Sequence, residues 1–580
     1  MIRIVEDATR LLLDSDSASQ LETLEQVFRF RPNGFIFSPR YKEWEYTDGE
    51  KGWDGWERPL RILVGRHKAM IDRGRREEVL QACRLHKFKV DTSRLLPRYF
   101  KDAILEDIPV DLLAGGLHLD QDQRNCILSW LQAGIGIHKA AVASGKTIML
   151  AGVSAMIRQA DPAARFLYLT TSERLVNQST REMRRFLPKW NISQHGGGKQ
   201  GLDGQDMVVA TVAILWRNFE DLVNQDWFKT FGAVLFDECH RASAASAGKI
   251  LRQIPAYFRL GCSDSLRQSN PSAYYKIIGL LGPVLQTVAV KPLMDVGRVA
   301  RPSIYVVRCE SWTDQHRDVP FTAALKTPAW VLLDEGWKKA QYLGPVGQLD
   351  EQGTPILARR ATFNEKRGNW TRTKEQASEI GLHAMEIDGQ QFEVESSFCL
   401  LHRLYDQAIV RFKPRNDLIV QWAQWYSAKG LPTLIVCTRH LHIIILDTLL
   451  KEAGTPPGQV RCLLGDHTSR ERDEALAWFT SQPGGPILIS PLVKEGVSIN
   501  ELRAGVVADY IADPEVANQI VGRFIRAKSG DNVAEITFFV DYQHPTLRRN
   551  SQRMLRNLAQ IEGYEFIDPV IQPPAQQRLG

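Results

Sequence analysis

Ala141-Val142-Ala143-Ser144-Gly145-Lys146-Thr147 closes a short apolar run, Ile135 to Val142, and leads into Ile148-Met149-Leu150-Ala151. The order reads as strand, tight loop, helix. A loop ending in Gly-Lys-Thr in that setting can turn its backbone N–H groups toward phosphates at the helix N-terminus. Ala143, Ser144 and Gly145 then form the cradle, Lys146 reaches the β- and γ-phosphates of ATP, and the Thr147 hydroxyl ligates Mg2+. Alanine stands at 143, where such loops usually carry glycine. If the backbone there needs a positive φ, the methyl group costs on the order of 1 kcal/mol; otherwise it costs nothing. Ser-Gly-Lys-Thr also turns up by chance, so the loop needs a second signal.

That signal lies downstream. From Leu119 apolar strands alternate with helices, which argues for a parallel α/β sheet. The strand candidates are Phe166 to Leu169, Met207 to Ala210, Ala233 to Phe236 and Tyr257 to Leu260. The third runs straight into Asp237-Glu238-Cys239-His240. An acidic pair at the carboxyl end of a buried strand is where an open α/β sheet places its ligand chemistry. Asp237 would hold Mg2+ and Glu238 would polarise the attacking water. Taken alone, the pair could merely cap the next helix.

A second set of strands, Thr433 to Cys437, Gln459 to Leu463, Ile487 to Ser490, Gly505 to Ala508 and Ile536 to Val540, has no phosphate loop of its own. Before the last of them, Arg523 and Arg526 lie three apart on one helical face, with Gln519 one turn earlier. Guanidinium groups so presented can reach across a cleft to a γ-phosphate held by the other sheet.

This ordered set resembles the superfamily 2 helicases over roughly residues 119 to 543. The resemblance implies an α/β chain with two tandem RecA-like parallel-sheet domains, a small N-terminal α+β domain and a β-rich insertion. It makes Gln123 the adenine-reading glutamine, with Gln519 and Gly496 (of Lys494 to Ser498, the fifth motif) also at the nucleotide. Lys146, Glu238, Arg523 and Arg526 become the catalytic set. Thr171 and Thr211 lie in the motifs that grip the tracking strand, and His240, Ser263 and Ser265 couple the two sites. Asp264 and Ser498 depart from the family pattern, which has alanine and a ribose-binding aspartate there. Phe37-Ser38-Pro39-Arg40-Tyr41 and Trp53-Asp54-Gly55 resemble, more narrowly, phage branch-migration and recombination helicases of the UvsW type, related to the XPB and RecG proteins. The implied activity is ATP-dependent unwinding or branch migration of DNA, with 3′-to-5′ polarity. A translocase that never unwinds, or an ATP-gated annealing clamp, stays open.

The 580 residues suffice for roughly three or four domains. We expect boundaries at 1–108, 109–300, 301–543 with an insertion at about 312–398, and 544–580. Hydrophobic content of 44% and a net charge of +6 suit a globular protein and permit a polyanionic partner. Eight scattered cysteines without a Cys-x-x-Cys pair argue against zinc ribbons and disulfide frameworks. With no signal segment or membrane-length apolar run, the expectation is a cytoplasmic monomer of a bacterial or phage-infected cell, with no membrane contact. DNA, single-stranded or branched, is the expected partner, RNA–DNA hybrids are open, and protein partners are unspecified.

The amino-terminal region interleaves Trp44, Trp53 and Trp56 with a basic run from Arg66 to Lys101 that includes Arg75 and Arg76. This suits a nucleic-acid backbone and stacked bases, or else tryptophans in a core and arginines on a solvated helix face. In the insertion, Ala329 to Leu333 with Thr354 to Ala358, and Ala384 to Val394 around Asp388-Gly389, read as hairpins. Lys366, Arg367, Arg372 and Lys374 suggest an exposed basic loop beside Trp370. The tail reads as a basic solvated helix before a Pro/Gln-rich end.

Overall fold

The computed structural model describes residues 1–309 and 405–570, apart from 33–34, 48, 66, 142, 267–269, 457, 465–466, 492–501, 512–513, 527–531 and 542–544. Within 310–404 it describes only the backbone of short strands: Thr362–Asn364, which pairs with Asn369–Thr371, and those given below.

The first large sheet runs Val284–Val288, Ile135–Ala140, Phe258–Ser263, Ala233–Asp237, Phe166–Thr170, Met207–Thr211, Ile192–Gly196 and Lys199–Gln200. All neighbours are parallel except the last pair. Alternate residues enter opposite cores. Tyr168, Val209 and Leu235 pack with Trp130 and Met149, while Leu167, Val208 and Val234 pack with Leu215, Ile250 and Ile278. Burial on both faces is why these strands read as unbroken apolar runs.

The second sheet runs Val460–Cys462, Ile487–Ser490, Thr433–Val436, Ala504–Val507, Val533–Asp541, Arg301–Cys309 and Glu565–Val570, all parallel. The tail is therefore more than a solvated appendage. Its helix, Pro545–Leu558, buries Leu547, Met554 and Leu558 while Arg548, Arg549, Arg553 and Arg556 stay exposed, and Glu565–Val570 supplies the edge strand. The chain passes between the sheets at Val299, which bridges to Arg526, and at Ala300, whose N–H donates to Ile525 O at 2.7 Å.

The amino-terminal sheet runs Arg61–Ile62, Lys68–Asp72, Arg10–Ser15, Ile2–Glu6 and Val90–Arg94, with Ala18–Phe28 and Arg76–Leu85 packed on it. Its core is Ile2, Ile4, Leu11, Leu13, Leu21, Leu24 and Val79. The tryptophans are neither core nor displayed. Trp44, Trp53 and Trp56 are half-buried, and Trp56 carries the Arg29 and Arg31 guanidinium groups 4.5 and 4.7 Å from its ring centre.

Arg75 and Arg76 correct the expectation of an exposed phosphate-binding pair. Arg75 is 2% exposed, ion-paired to Glu78 at 2.7 Å and stacked over Tyr275, 4.5 Å from the ring centre. Arg76 pairs with the buried Glu6 at 2.9 Å. Next to them, Arg73 pairs with Glu6 at 2.8 Å and donates to Tyr257 O at 2.7 Å. Asp72 pairs with Arg252 at 2.8 Å. Gly74 lies so close to the helix Pro271–Leu281 that a Cβ would run into the Ile278 carbonyl oxygen. These residues fasten the amino-terminal unit to the first large sheet, which is why their charges face inward.

In the insertion, Leu382–Ile387 pairs with Gln390–Glu395 as the alternation predicts, although Asp388-Gly389 lies outside the described residues. The other expected hairpin does not form. Trp330–Leu333 pairs with Ala324–Thr327 and Gly336–Lys339, and Pro355–Leu357 pairs with Gln341–Leu349. Nearer strands supply each partner at a smaller loop-closure cost. Lys366, Arg367, Arg372 and Lys374 lie outside the described residues. Among the described residues, no helix is long and apolar enough to cross a membrane.

Candidate nucleotide site between the two sheets

The loop at 143–147 turns at the carboxyl end of Ile135–Ala140 and opens the helix Lys146–Ala160. Ala143 has φ 63° and Gly145 has φ 87°, so the position where alanine replaces glycine does need the left-handed conformation. Ala143 therefore carries about 1 kcal/mol of backbone strain. Gln123 braces the loop from below. Its Nε2 donates to Ser144 O at 3.2 Å and its Oε1 accepts from Asp120 N at 3.2 Å, in the capping box of helix Gln121–Ala133. At 4% exposure, its amide supports the loop from within. Asp120 also pairs with Arg298, between the sheets, an ion pair the sequence did not flag.

Lys146 Nζ lies 3.3 Å from Glu238 Oε1. Burial alone would lower the Lys146 pKa, but Glu238, Asp264 and Asp237 outweigh it and hold the ammonium firmly charged. For Glu238 burial is likewise outweighed, by Lys146 and then His240, so the carboxylate drops to about 2. Asp237 goes the other way. Burial and the neighbouring Glu238 raise it to about 6, against Lys146 and the Tyr168 hydroxyl, which donates to Oδ2 at 3.1 Å. A carboxylate held up in this way gains from a cation, and Thr147 lies in the adjoining first turn of the helix. Asp237 and Thr147 thus fit Mg2+, which would neutralise phosphate charge when bound. Glu238 itself sits at φ 55°, the second non-glycine residue held left-handed in the site.

From Glu238 a hydrogen-bonded path crosses to the other sheet. His240 Nδ1 lies 3.4 Å from Glu238 Oε2 and 2.9 Å from Ser263 Oγ. The Ser263 hydroxyl donates to Ser265 O at 2.9 Å, so Nδ1 must carry the proton it shares with Ser263. Ser265 Oγ then accepts from Gln519 Nε2 at 3.0 Å. Gln519 belongs to the helix Pro514–Phe524 of the second sheet, so this bond joins the two sheets.

Arg523, in the last turn of the same helix, is lowered by burial, against which the charges of Glu238 and Asp264 act. Arg526, just beyond the helix, differs. Burial and Arg523 bring it down to about 10, and the acid acting on it is Glu182. Asp264 is half-buried, and its Oδ1 accepts no hydrogen bond among the described residues. Thr171 follows the strand Phe166–Thr170, its N–H donating to Thr170 Oγ1 at 2.7 Å. Thr211 is 3% exposed and accepts from Ile214 N at 3.2 Å, so it caps a helix instead of presenting its side chain. Gly496 and Ser498 lie outside the described residues.

Residues 116–264 match the family model described as type III restriction enzyme, res subunit. The ATP-dependent DNA helicase UvsW of Enterobacteria phage T4 is 21% identical over 311 residues, covering 51% of this chain and 58% of that protein. The chain is similar to the UvsW helicase. It spans little more than half of that relative's length in the match. The crystal structure of T4 UvsW covers 98% of both chains at 16% identity and a TM-score of 0.38. The DNA-bound type ISP restriction-modification enzyme LlaBIII covers 79% of this chain and 32% of its own, at 12% identity and a TM-score of 0.50, a likeness of fold.

Proposed function

We propose that the chain is an ATP-dependent DNA helicase, hydrolysing ATP between its two large sheets to unwind or branch-migrate DNA with 3′-to-5′ polarity. What supports the reading most is the path from Glu238 through His240, Ser263 and Ser265 to Gln519, because it ties a water-orienting carboxylate on one sheet to the arginine helix of the other. Lys146 binds the terminal phosphates, Glu238 orients water, and Arg523 stabilises charge that develops on the transferred phosphoryl group. With the phosphate loop on one wall and arginine on the other, ATP favours the closed cleft and hydrolysis releases it, a population shift that can ratchet a bound strand.

Mg2+ at Thr147 and Asp237, a tracking strand near Thr171, and a cytoplasmic monomer belong to the same reading. The likeness of residues 116–264 to a restriction-enzyme subunit favours one alternative, a duplex translocase that does not unwind. Forked, four-way and RNA–DNA hybrid substrates assayed beside ATP turnover separate the two. Displacement of a strand requires ATP in the helicase reading, whereas turnover stimulated by duplex alone, with no strand displaced from any substrate, contradicts it.

A further inference from the structure

Cys437, His442 and Asp509 meet at the carboxyl end of the second sheet. A ring nitrogen, a sulfur and a carboxylate oxygen, one from each, all lie within 4.8 Å of one another. We propose that these three side chains bind Zn2+. The proposal goes beyond the ATP reading and does not depend on it.

The backbone brings them together. Thr433–Val436 and Ala504–Val507 are neighbouring parallel strands, and the N–H groups of Ala508 and Asp509 donate to Val436 O at 3.0 and 3.2 Å. Asp509 is thereby set beside Cys437, just past the two strand ends. His442 follows in the first turn of the helix His440–Glu452. Cys437 and His442 are fully buried and Asp509 is 5% exposed. Cys437 and His442 are near in sequence, but Asp509 comes from the end of a later strand, so no local motif announces the set.

The hydrogen bonds around the cluster prepare each ligand. Asn416 Nδ2 donates to Val410 O at 2.8 Å, so its Oδ1 is the atom that faces His442 Nε2, at 2.9 Å. Nε2 must therefore carry the proton, and Nδ1 presents a bare lone pair. That nitrogen is buried and has no hydrogen-bond partner among the described residues. An imidazole whose far nitrogen is held by an outer-shell group is how histidine is usually oriented toward a metal. Asp509 Oδ1 accepts from the Tyr405 hydroxyl at 3.2 Å and from Thr438 N at 3.0 Å. Among the described residues no Lys or Arg pairs with Asp509, and Arg415, which donates to the adjacent Ala508 O at 2.7 Å, is paired with Asp541 at 2.8 Å. The Cys437 thiol has only a weak contact, with Arg439 O at 3.8 Å. As thiolate and carboxylate, Cys437 and Asp509 would together neutralise a divalent ion, which lowers the cost of burying it. Sulfur with nitrogen and oxygen is a donor set for zinc and a poor one for Mg2+. Three side chains leave the fourth tetrahedral position to water.

Titration of the chelator-treated full chain with Zn2+ alone, followed by X-ray absorption at the zinc edge, tests this. The wild type should take up one tight equivalent and melt at a higher temperature when loaded. Its zinc should have one sulfur neighbour at about 2.3 Å and nitrogen and oxygen neighbours at about 2.0–2.2 Å. Cys437→Ser, which nearly keeps the size of the side chain, should lose at least about a hundredfold in zinc affinity, beyond the 10- to 100-fold typical of losing an outer-shell partner. Asp509→Asn, of the same shape as the native residue, should also weaken zinc and serves where Cys437→Ser does not fold. A wild type that takes up no tight zinc overturns the proposal. So does zinc with no sulfur neighbour, as binding at Glu238, His240 and Asp264 would give, or with more than one. Wild-type zinc affinity in either folded variant overturns it as well.

Discussion

At the scale of single residues, Ala143 and Glu238 hold left-handed backbone in the same site. Such strain survives where the surroundings over-determine it, here through the buried Gln123 brace and the Lys146–Glu238 pair. For Ala143→Gly, relief of about 1 kcal/mol of strain is partly offset by the greater freedom of glycine in the unfolded chain. Its melting temperature should stay level or rise slightly. Ala143→Val should melt earlier and bind ATP more weakly, since a β-branched residue at positive φ is a steric outlier. Equal melting temperatures for the glycine and valine variants, by calorimetry, would mean that the loop is not held at this φ. Glu238→Gln should bind ATP normally yet turn over two to four decades more slowly, in the range for removal of a group acting on the transition state.

At the scale of elements, what was legible in the sequence followed from two-sided burial. Phe166–Thr170, Met207–Thr211 and Ala233–Asp237 are wholly buried and apolar enough to read as runs. Ile192–Gly196 is just as buried, but it carries the polar Ser193, Gln194 and His195, which hydrogen-bond to Gly201 O, Gly196 O and Asn218 and hide the strand. The short strands Ile2–Glu6 and Arg10–Ser15 bury one face only, and their alternation passes for irregular sequence. The phosphate loop, acidic pair and arginine helix were legible because their spacing is local. The contacts of Gln123 with Ser144, Gln519 with Ser265 and Arg75 with Tyr275 were not, because each reaches an element distant in sequence.

Buried histidines carry a prediction at the same scale. His138, on the strand feeding the loop, and His442, in the helix His440–Glu452, are fully buried. Burial lowers both to about 3, with Arg415 adding to the effect at His442. The unfolded chain protonates histidine near 6.5, so below that pH it binds protons the folded chain does not. Each histidine then removes up to about 1.4 kcal/mol of stability per pH unit as pH falls from 6.5 toward 3, and nothing above 6.5. His138→Gln should flatten this acid limb in denaturant titrations run across pH. An unchanged slope would show that His138 does not stay neutral when folded.

At the scale of the whole molecule, the amino-terminal unit is bolted to the first sheet through Asp72, Arg73, Gly74 and Arg75. Reversing Arg75 and Arg76 would take one of two cations from the buried Glu6 and set like charges against Glu6 and Glu78. We expect the double variant to lose several kcal/mol, within the roughly 3–5 kcal/mol typical of a broken buried pair, seen as a fall in melting temperature. Lys68, Arg84, Lys87 and Lys89 are exposed instead, and they are the better candidates for phosphate contact. Lys87→Glu with Lys89→Glu should spare the fold and flatten the salt dependence of junction binding by nearly one unit per lost duplex contact. A melting temperature and salt slope both equal to wild type would leave this face out of DNA binding.

The central claim is that one ATP site is divided between two sheets, with Lys146 on one and Arg523 on the other. The most direct test is single-strand-stimulated ATP turnover by Lys146→Ala and Arg523→Ala beside wild type, each checked for an unchanged melting profile. Both variants should fall by roughly two to four decades, since each removes charge that acts on the transferred phosphoryl group. Near-normal turnover by Arg523→Ala, with Lys146→Ala inactive, would mean that the first sheet works alone and that closing the cleft plays no part in the chemistry.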